Sequence, residues 1–135
     1  PQLYKPYQIT KQEFGHALFL ILAGLIKKIV ISDYLALNFI DRVFEQPGSF
    51  SGSENLMAIY AYAIQIYADF SGYTDIAIGF ARMFGIKLLP NFNRPFFSEN
   101  MTTFWKRFHI SLSAWFGDYI FRQTVFKKIV RFFFH

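Results

Sequence analysis

Apolar residues along this chain come in long runs, and the short polar segments between them carry helix-starting signals. Residues 1–11 are polar and include Pro1 and Pro6, which marks them as a loop. The loop closes on Thr10 and Glu13, a capping box whose hydroxyl and carboxylate can satisfy the free amides of a helix start. Residues 14–26 then run thirteen positions without a formal charge, meet Lys27 and Lys28, and regain apolar character at Ile29, Val30 and Ile31. Thirteen residues fall short of the roughly 20 needed to cross hydrocarbon, but 14–31 makes eighteen if the two lysines snorkel toward headgroups. A helix over 14–31 is expected, either in a membrane or as a buried core helix. Ser32 and Asp33 predict a fresh N-cap, and Leu35, Phe39 and Val43 give residues 34–44 the spacing of a short amphipathic helix. Residues 45–55 are rich in Gly, Ser and Pro and predict a loop, and the uncharged, alanine-rich run 56–68 predicts another helix.

From Asp69 the polarity changes. Asp69-Phe-Ser-Gly-Tyr-Thr-Asp75 is polar and turn-prone between two apolar runs, so 69–98 is expected to be a broken helix followed by a structured connector. Asp69, Asp75 and Arg82 against lipid would each cost about 2.5 to 3.5 kcal/mol near a bilayer centre, so they are expected to face protein or a wet cavity. Gly72 and Gly79 either break the helix or permit close helix contact. Pro90 and Pro95 rule out a continuous helix through the connector, and Asn100 caps a last helix over about 101–121. No internal repeat or low-complexity tract is present.

Composition strengthens the membrane reading. Hydrophobic residues make up 53% and aromatics 21%, with 19 Phe in 135 residues, more rings than a domain of this size has interior to hide. Either a large apolar surface faces lipid or the chain is part of something bigger, and both are expected. The formal charge of +5 fits nucleic acid, an anionic membrane surface or the cytosolic loops of a membrane protein. The pairs Lys27–Lys28 and Lys127–Lys128 mark expected cytosolic sides. Cysteine is absent, which removes disulfides and thiolate metal sites, and no His and carboxylate spacing fits a metal ligand set. No cleavable signal pattern follows the first apolar run.

Among chemistry-bearing residues, His109 stands out. On a regular helix, steps of four, three and four align Thr102, Lys106, His109 and Ser113 on one stripe, with Phe104, Phe108, Leu112, Trp115 and Tyr119 to the sides and rear. An imidazole so framed can exchange a proton near neutral pH in a semi-dry setting, with Lys106 and Ser113 offering polar contacts to an acyl carbonyl or a hydroxyl acceptor. A hydrogen-bonded core histidine is the plainer alternative. Asp69 and Asp75 are candidates for substrate contact as a carboxylate pair, although six residues is a poor spacing for one face. The alternative has them capping turns and pairing with Arg82 or Arg94. His16 is expected to be a packing or interface residue. Ser111 and Ser113 lie in no nucleophile elbow, and there is no phosphate loop.

Two stretches, Tyr67-Ala-Asp-Phe-Ser-Gly-Tyr-Thr-Asp-Ile-Ala-Ile-Gly-Phe-Ala81 and Phe104-Trp-Lys-Arg-Phe-His-Ile-Ser-Leu-Ser113, followed by Asp118 and Tyr119, resemble the membrane-bound O-acyltransferase family. The likeness is greatest to its bacterial alginate O-acetyltransferase membrane proteins. Supporting stretches begin at Gly24 and Phe84, so the likeness spans residues 14–119. It implies an all-α, polytopic membrane bundle with short, broken and re-entrant helices, of which residues 1–135 are one partial domain. It also implies transfer of an acyl group, commonly acetyl, to a hydroxyl of an exported polysaccharide such as alginate, or D-alanyl transfer to teichoic acid in a related member. His109 matches the histidine of the family's Trp-His-Ile-Ser-Leu-Ser motif, with Phe108 in place of the tryptophan. A second family histidine, in a Gly-Leu-Trp-His-Gly type motif, is not in this chain, which is therefore expected to be inactive alone. The resemblance further implies no bound cofactor, an acyl donor such as acetyl-CoA as substrate, and a bacterial inner-membrane location. Expected partners are lipid and either polysaccharide biosynthesis and export proteins or an acyl-relay protein. A rival from another class is a basic and aromatic nucleic-acid binder, using Lys106, Arg107 and Phe108 or Arg131 and Phe132. The uncharged runs such as 56–68 weigh against it.

Overall fold

Thr10 opens the first helix as its sequence predicts: its hydroxyl accepts from the Glu13 amide and its own amide donates to the Glu13 carboxylate, at 3.2 and 3.0 Å. The structure, a computed structural model, describes residues 7–122. The pair Lys127–Lys128, Arg131, Phe132 and His135 lie outside the described residues, as does most of the expected N-terminal loop. Among the described residues the elements are helices and turns, with no β-strand, so the chain is all-α. They fall into two compact units, Pro1–Leu88 and Leu89–His135.

In the first unit, helix α1 runs Lys11–Glu45 without interruption. Within it, Ile26–Asp33 and Ala36–Ile40 are wound as π-helix. The expected restart at Ser32 does not occur. Neither Gly nor Pro lies between Lys28 and Gln46, Ser32 is fully buried, and Asp33 is engaged by Lys28 at 2.8 Å. That pair is five residues apart, the spacing that the i→i+5 winding of a π-helix stacks on one face.

Helix α2 runs Gly52–Met83, capped by Ser51 and Glu54 in a second capping box. It therefore starts earlier than residue 56 and passes unbroken through 69–83, where a break was expected. The reason is its partner. Helices α1 and α2 lie antiparallel, with Gly24 against Gly72 and Ala17 against Gly79: a Cβ on Gly72 would stand 2.7 Å from the Gly24 carbonyl, and one on Gly79 2.8 Å from that of Ala17. Glycines that weaken an isolated helix here permit backbone contact, and the packing offsets their propensity cost of about 1 kcal/mol each. The helix ends at Gly85 (φ 74°), whose amide bonds the Arg82 carbonyl at 3.0 Å while Ile86 bonds that of Ala81 at 2.9 Å. This Schellman closure needs the left-handed conformation that glycine adopts freely.

Charges follow the same register. Lys27 pairs with Asp75, and Lys28 pairs with Asp69 at 2.7 Å as well as with Asp33. Both lysines thus turn to α2 rather than snorkelling to headgroups, and the two aspartates pair with them rather than with Arg82 or Arg94. Arg82 instead donates to His16 Nδ1 at 2.8 Å. The outward stripe, including Phe19, Val30, Leu37, Met57 and Tyr60, is exposed. Among the described residues, α1 is the one helix long and apolar enough to cross a membrane.

In the second unit, a 3₁₀ turn at Pro95–Phe97 precedes two short helices, α3 (Met101–Arg107) and α4 (Ile110–Trp115), and α4 runs on as π-helix over Phe116–Phe121. Asn100 caps α3 as predicted, its side chain accepting from the Thr103 amide at 2.8 Å. The expected single helix over 101–121 is interrupted at Phe108 and His109.

Candidate functional site

His109 occupies that interruption in a left-handed conformation (φ 54°, ψ 59°), which costs an L-residue other than glycine about 1–2 kcal/mol. What holds it there is the connector. Phe108 is extended and forms an antiparallel bridge with Phe92, and their rings meet edge to face at 5.0 Å. The Asn93 amide donates to the Arg107 carbonyl at 3.0 Å and the Ile110 amide to the Asn91 carbonyl at 2.9 Å. The Ser111 amide donates to Asn91 Oδ1 at 3.0 Å. A helix cannot run straight through a segment whose peptides are paired with another strand of chain on both sides of one residue. The strain is thus sustained by tertiary hydrogen bonds, a condition under which strained residues persist and cluster at functional sites.

Beside the hinge lies a cavity of about 420 Å³ lined by Trp105, Phe108, His109, Leu112, Ser113 and Phe116 among others. Its walls are mostly rings and aliphatic carbon, and the lining side chains that carry polar groups are His109, Ser113 and Trp105. Phe104 stacks on Phe108 at 5.3 Å and stiffens the wall. His109 is half-buried, with Nδ1 at 3.4 Å from the Ser111 hydroxyl. The Ser113 hydroxyl donates to the Trp105 carbonyl at 2.8 Å, tying α4 to α3 and leaving its oxygen able to accept. A second cavity of about 480 Å³ in this unit is lined by Asn93, Arg94, Phe97 and Arg107, with Arg94 also left-handed (φ 46°).

The structure therefore brings together only part of the predicted constellation. His109 and Ser113 share the apolar cavity. The stripe through Thr102, Lys106, His109 and Ser113 does not exist, because the chain turns at 108–109; Lys106 is exposed on α3 and does not line the cavity. Asp69 and Asp75 lie in the first unit, on Lys28 and Lys27 respectively, and face different cations instead of forming a carboxylate pair. Sequence reasoning missed Asn91. The available signal was a pair of asparagines, Asn91 and Asn93, set between Pro90 and Pro95 in a segment read only as a connector.

Residues 2–133 match the model of the membrane-bound O-acyltransferase family. Over 112 residues the chain is 42% identical to a probable alginate O-acetylase, AlgI, of Azotobacter vinelandii, covering 83% of this chain and 22% of that protein. It is 43% identical over 104 residues to the peptidoglycan O-acetyltransferase of Helicobacter pylori, covering 77% of this chain and 20% of that protein. To the teichoic acid D-alanyltransferase of Bacillus subtilis it is 49% identical over 72 residues, 53% of this chain and 18% of that protein. The chain thus spans about a fifth of the length of the relatives it matches.

Proposed function

The chain belongs to the membrane-bound O-acyltransferase family, and from that premise we propose that it forms part of a multi-pass enzyme of the bacterial inner membrane which O-acylates an exported polysaccharide. Acetyl is the proposed group and alginate the proposed type of acceptor, after the alginate O-acetylase relatives that cover 83% of the chain. The observation that carries the proposal is the half-buried imidazole of His109, held at a strained hinge on the wall of an apolar cavity. In the reaction, the acceptor hydroxyl attacks the acyl carbonyl of a thioester such as acetyl-CoA. His109 accepts the hydroxyl proton as the new C–O bond forms. The C–S bond then breaks, and the thiolate leaves with the proton returned by the imidazolium. Apolar walls keep water from taking the acyl group in place of the alcohol.

Ser113 is the proposed hydrogen-bond contact for substrate in this cavity. For Lys106 the proposed role is weaker: an exposed cation at the approach of an anionic polymer or donor. Asp69 and Asp75 are proposed to act on the site only by fixing the α1–α2 pair, since both carboxylates are engaged by lysines. Membrane lipid and either export machinery or an acyl-relay protein are the proposed partners. D-alanyl transfer to teichoic acid is a second reading, favoured by the 49% identity to the Bacillus subtilis protein.

The test is the O-acetyl content of exported polymer in cells carrying the full-length protein with His109→Ala. General base catalysis contributes about 10²- to 10⁴-fold, so transfer should fall at least about 100-fold while the protein accumulates normally. Wild-type acetylation by that variant would overturn the site assignment. D-alanyl ester in place of acetyl ester on the polymer would select the second reading.

A further inference from the structure

Helix α4 begins without help from the residue that precedes it. His109 stands at its N-cap position, where Ser, Thr, Asp or Asn ordinarily accepts a hydrogen bond from one of the first amides, yet its side chain makes no such bond. The first two amides of α4 go to Asn91: Ile110 donates to its carbonyl at 2.9 Å and Ser111 to its side-chain Oδ1 at 3.0 Å. The capping duty of position 109 is performed by a residue 18 positions earlier.

We propose that Asn91 is a positioning residue for His109, capping α4 from outside and so fixing the imidazole at the N-cap on the cavity wall. This rests on His109 being the reacting group. Three features single out the side chain of Asn91 from the rest of the connector. It is half-buried, it holds the amide on the far side of the strained peptide, and it is the one bond of the three across the hinge that a substitution can delete without touching the backbone. With Oδ1 gone, the Asn93–Arg107 and Ile110–Asn91 backbone bonds persist, so the hinge still forms. What is lost is the bond fixing the first turn of α4, and with it the imidazole is free to shift along the cavity wall. An imidazole displaced by about 1 Å loses on the order of 10²-fold in rate.

The experiment uses the full-length protein in membrane vesicles, with acetyl-CoA as donor and an alginate oligomer as acceptor, or O-acetyl content in cells where vesicles lack the native donor. Asn91→Ala should lower kcat by about 10- to 100-fold with KM for the acceptor within about twofold. Asn91→Asp keeps an oxygen acceptor at the same place and should restore kcat to within about threefold of wild type. Asn100→Ala is the matched control: it deletes an equivalent side-chain cap, on α3, without touching the hinge, and should leave kcat per folded molecule unchanged. If Asn91→Ala does not accumulate, Asn91→Gln retains the amide but shifts the acceptor by one methylene, and should show the same fall in kcat. Should Asn91→Ala, or Asn91→Gln in its place, keep wild-type kcat while His109→Ala is inactive, the positioning role alone is overturned. The same holds if Asn100→Ala loses as much per folded molecule. Should His109→Ala itself retain transfer, the functional reading fails and the positioning role falls with it.

Discussion

Replacing Gly24 with alanine places a methyl carbon 2.5 Å from the Gly72 carbonyl oxygen and 2.7 Å from Ile76 Cγ1. Neither obstacle moves easily, since one is helix backbone and the other a β-branched side chain packed in the same seam. To reach the 3.4 Å at which ordinary contact begins, α1 and α2 must part by about 0.9 Å at this point. Overpacking of this kind costs about 1–3 kcal/mol, and a backbone obstacle puts the cost toward the upper end. Against it stands the gain of about 1 kcal/mol that alanine brings over glycine inside a helix. Gly15→Ala separates the two effects. Gly15 lies in the same helix, and a methyl group added there would meet nothing within 4 Å, so it collects the propensity gain alone. Thermal unfolding of the full-length protein in detergent should place Gly24→Ala below wild type and about 2–3 kcal/mol below Gly15→Ala. A Gly24→Ala protein as stable as Gly15→Ala would refute backbone contact between α1 and α2.

Two further outcomes follow from the charge register and from the hinge. Lys28→Met should lower the melting temperature slightly, because it leaves Asp33 and Asp69 without their shared cation; with these groups nearly half exposed, solvent screening keeps the effect small. Adding Asp69→Asn to Lys28→Met should recover part of that loss, and a double variant no more stable than Lys28→Met would count against the shared pair. His109→Gly should melt higher than wild type, by about 1 kcal/mol of relieved backbone strain, while transferring no acyl group. A lower melting temperature for that variant would show that the hinge is held without strain.

Much of this was legible because the signals are local. Thr10 with Glu13, and Asn100 ahead of Thr103, announce their helices within four residues, and the structure places caps at both. Ser51 with Glu54 is an equally local signal, masked by the surrounding Gly48, Ser49, Gly52 and Ser53, which together read as loop. The continuity of α2 was not legible in the same way. Gly72 and Gly79 beside Asp69 and Asp75 read equally as a break or as a close helix contact; only Gly24, Lys27 and Lys28, some fifty residues earlier, decide for a contact seam and pair the acids. At His109 the failure runs the other way. The periodicity of 101–121 is that of one helix, and nothing within it foretells a turn, which is imposed by hydrogen bonds from Asn91 and Asn93. The motif singled out His109; of the stripe a regular helix would give it, only Ser113 shares its cavity, while Phe108 and Leu112, expected at its sides and rear, line the same wall.

The reciprocal ion pairs between the two long helices also bear on how the chain is made. Lys27 and Lys28 emerge from the ribosome some forty residues before Asp69 and Asp75, and a lone ammonium entering hydrocarbon costs about 2.5 to 3.5 kcal/mol. On α1 alone Lys28 still has Asp33, but Lys27 has no acid partner and would oppose transfer of that helix into lipid as a single rod. Lys27 gains its acid partner, and Lys28 its second, only once Asp75 and Asp69 of α2 are present, so the charged seam is matched in the assembled pair and not in α1 alone. Nascent chains halted before Asp69 would then leave the first rod poorly integrated and open to degradation, and those extended past Asp75 would not.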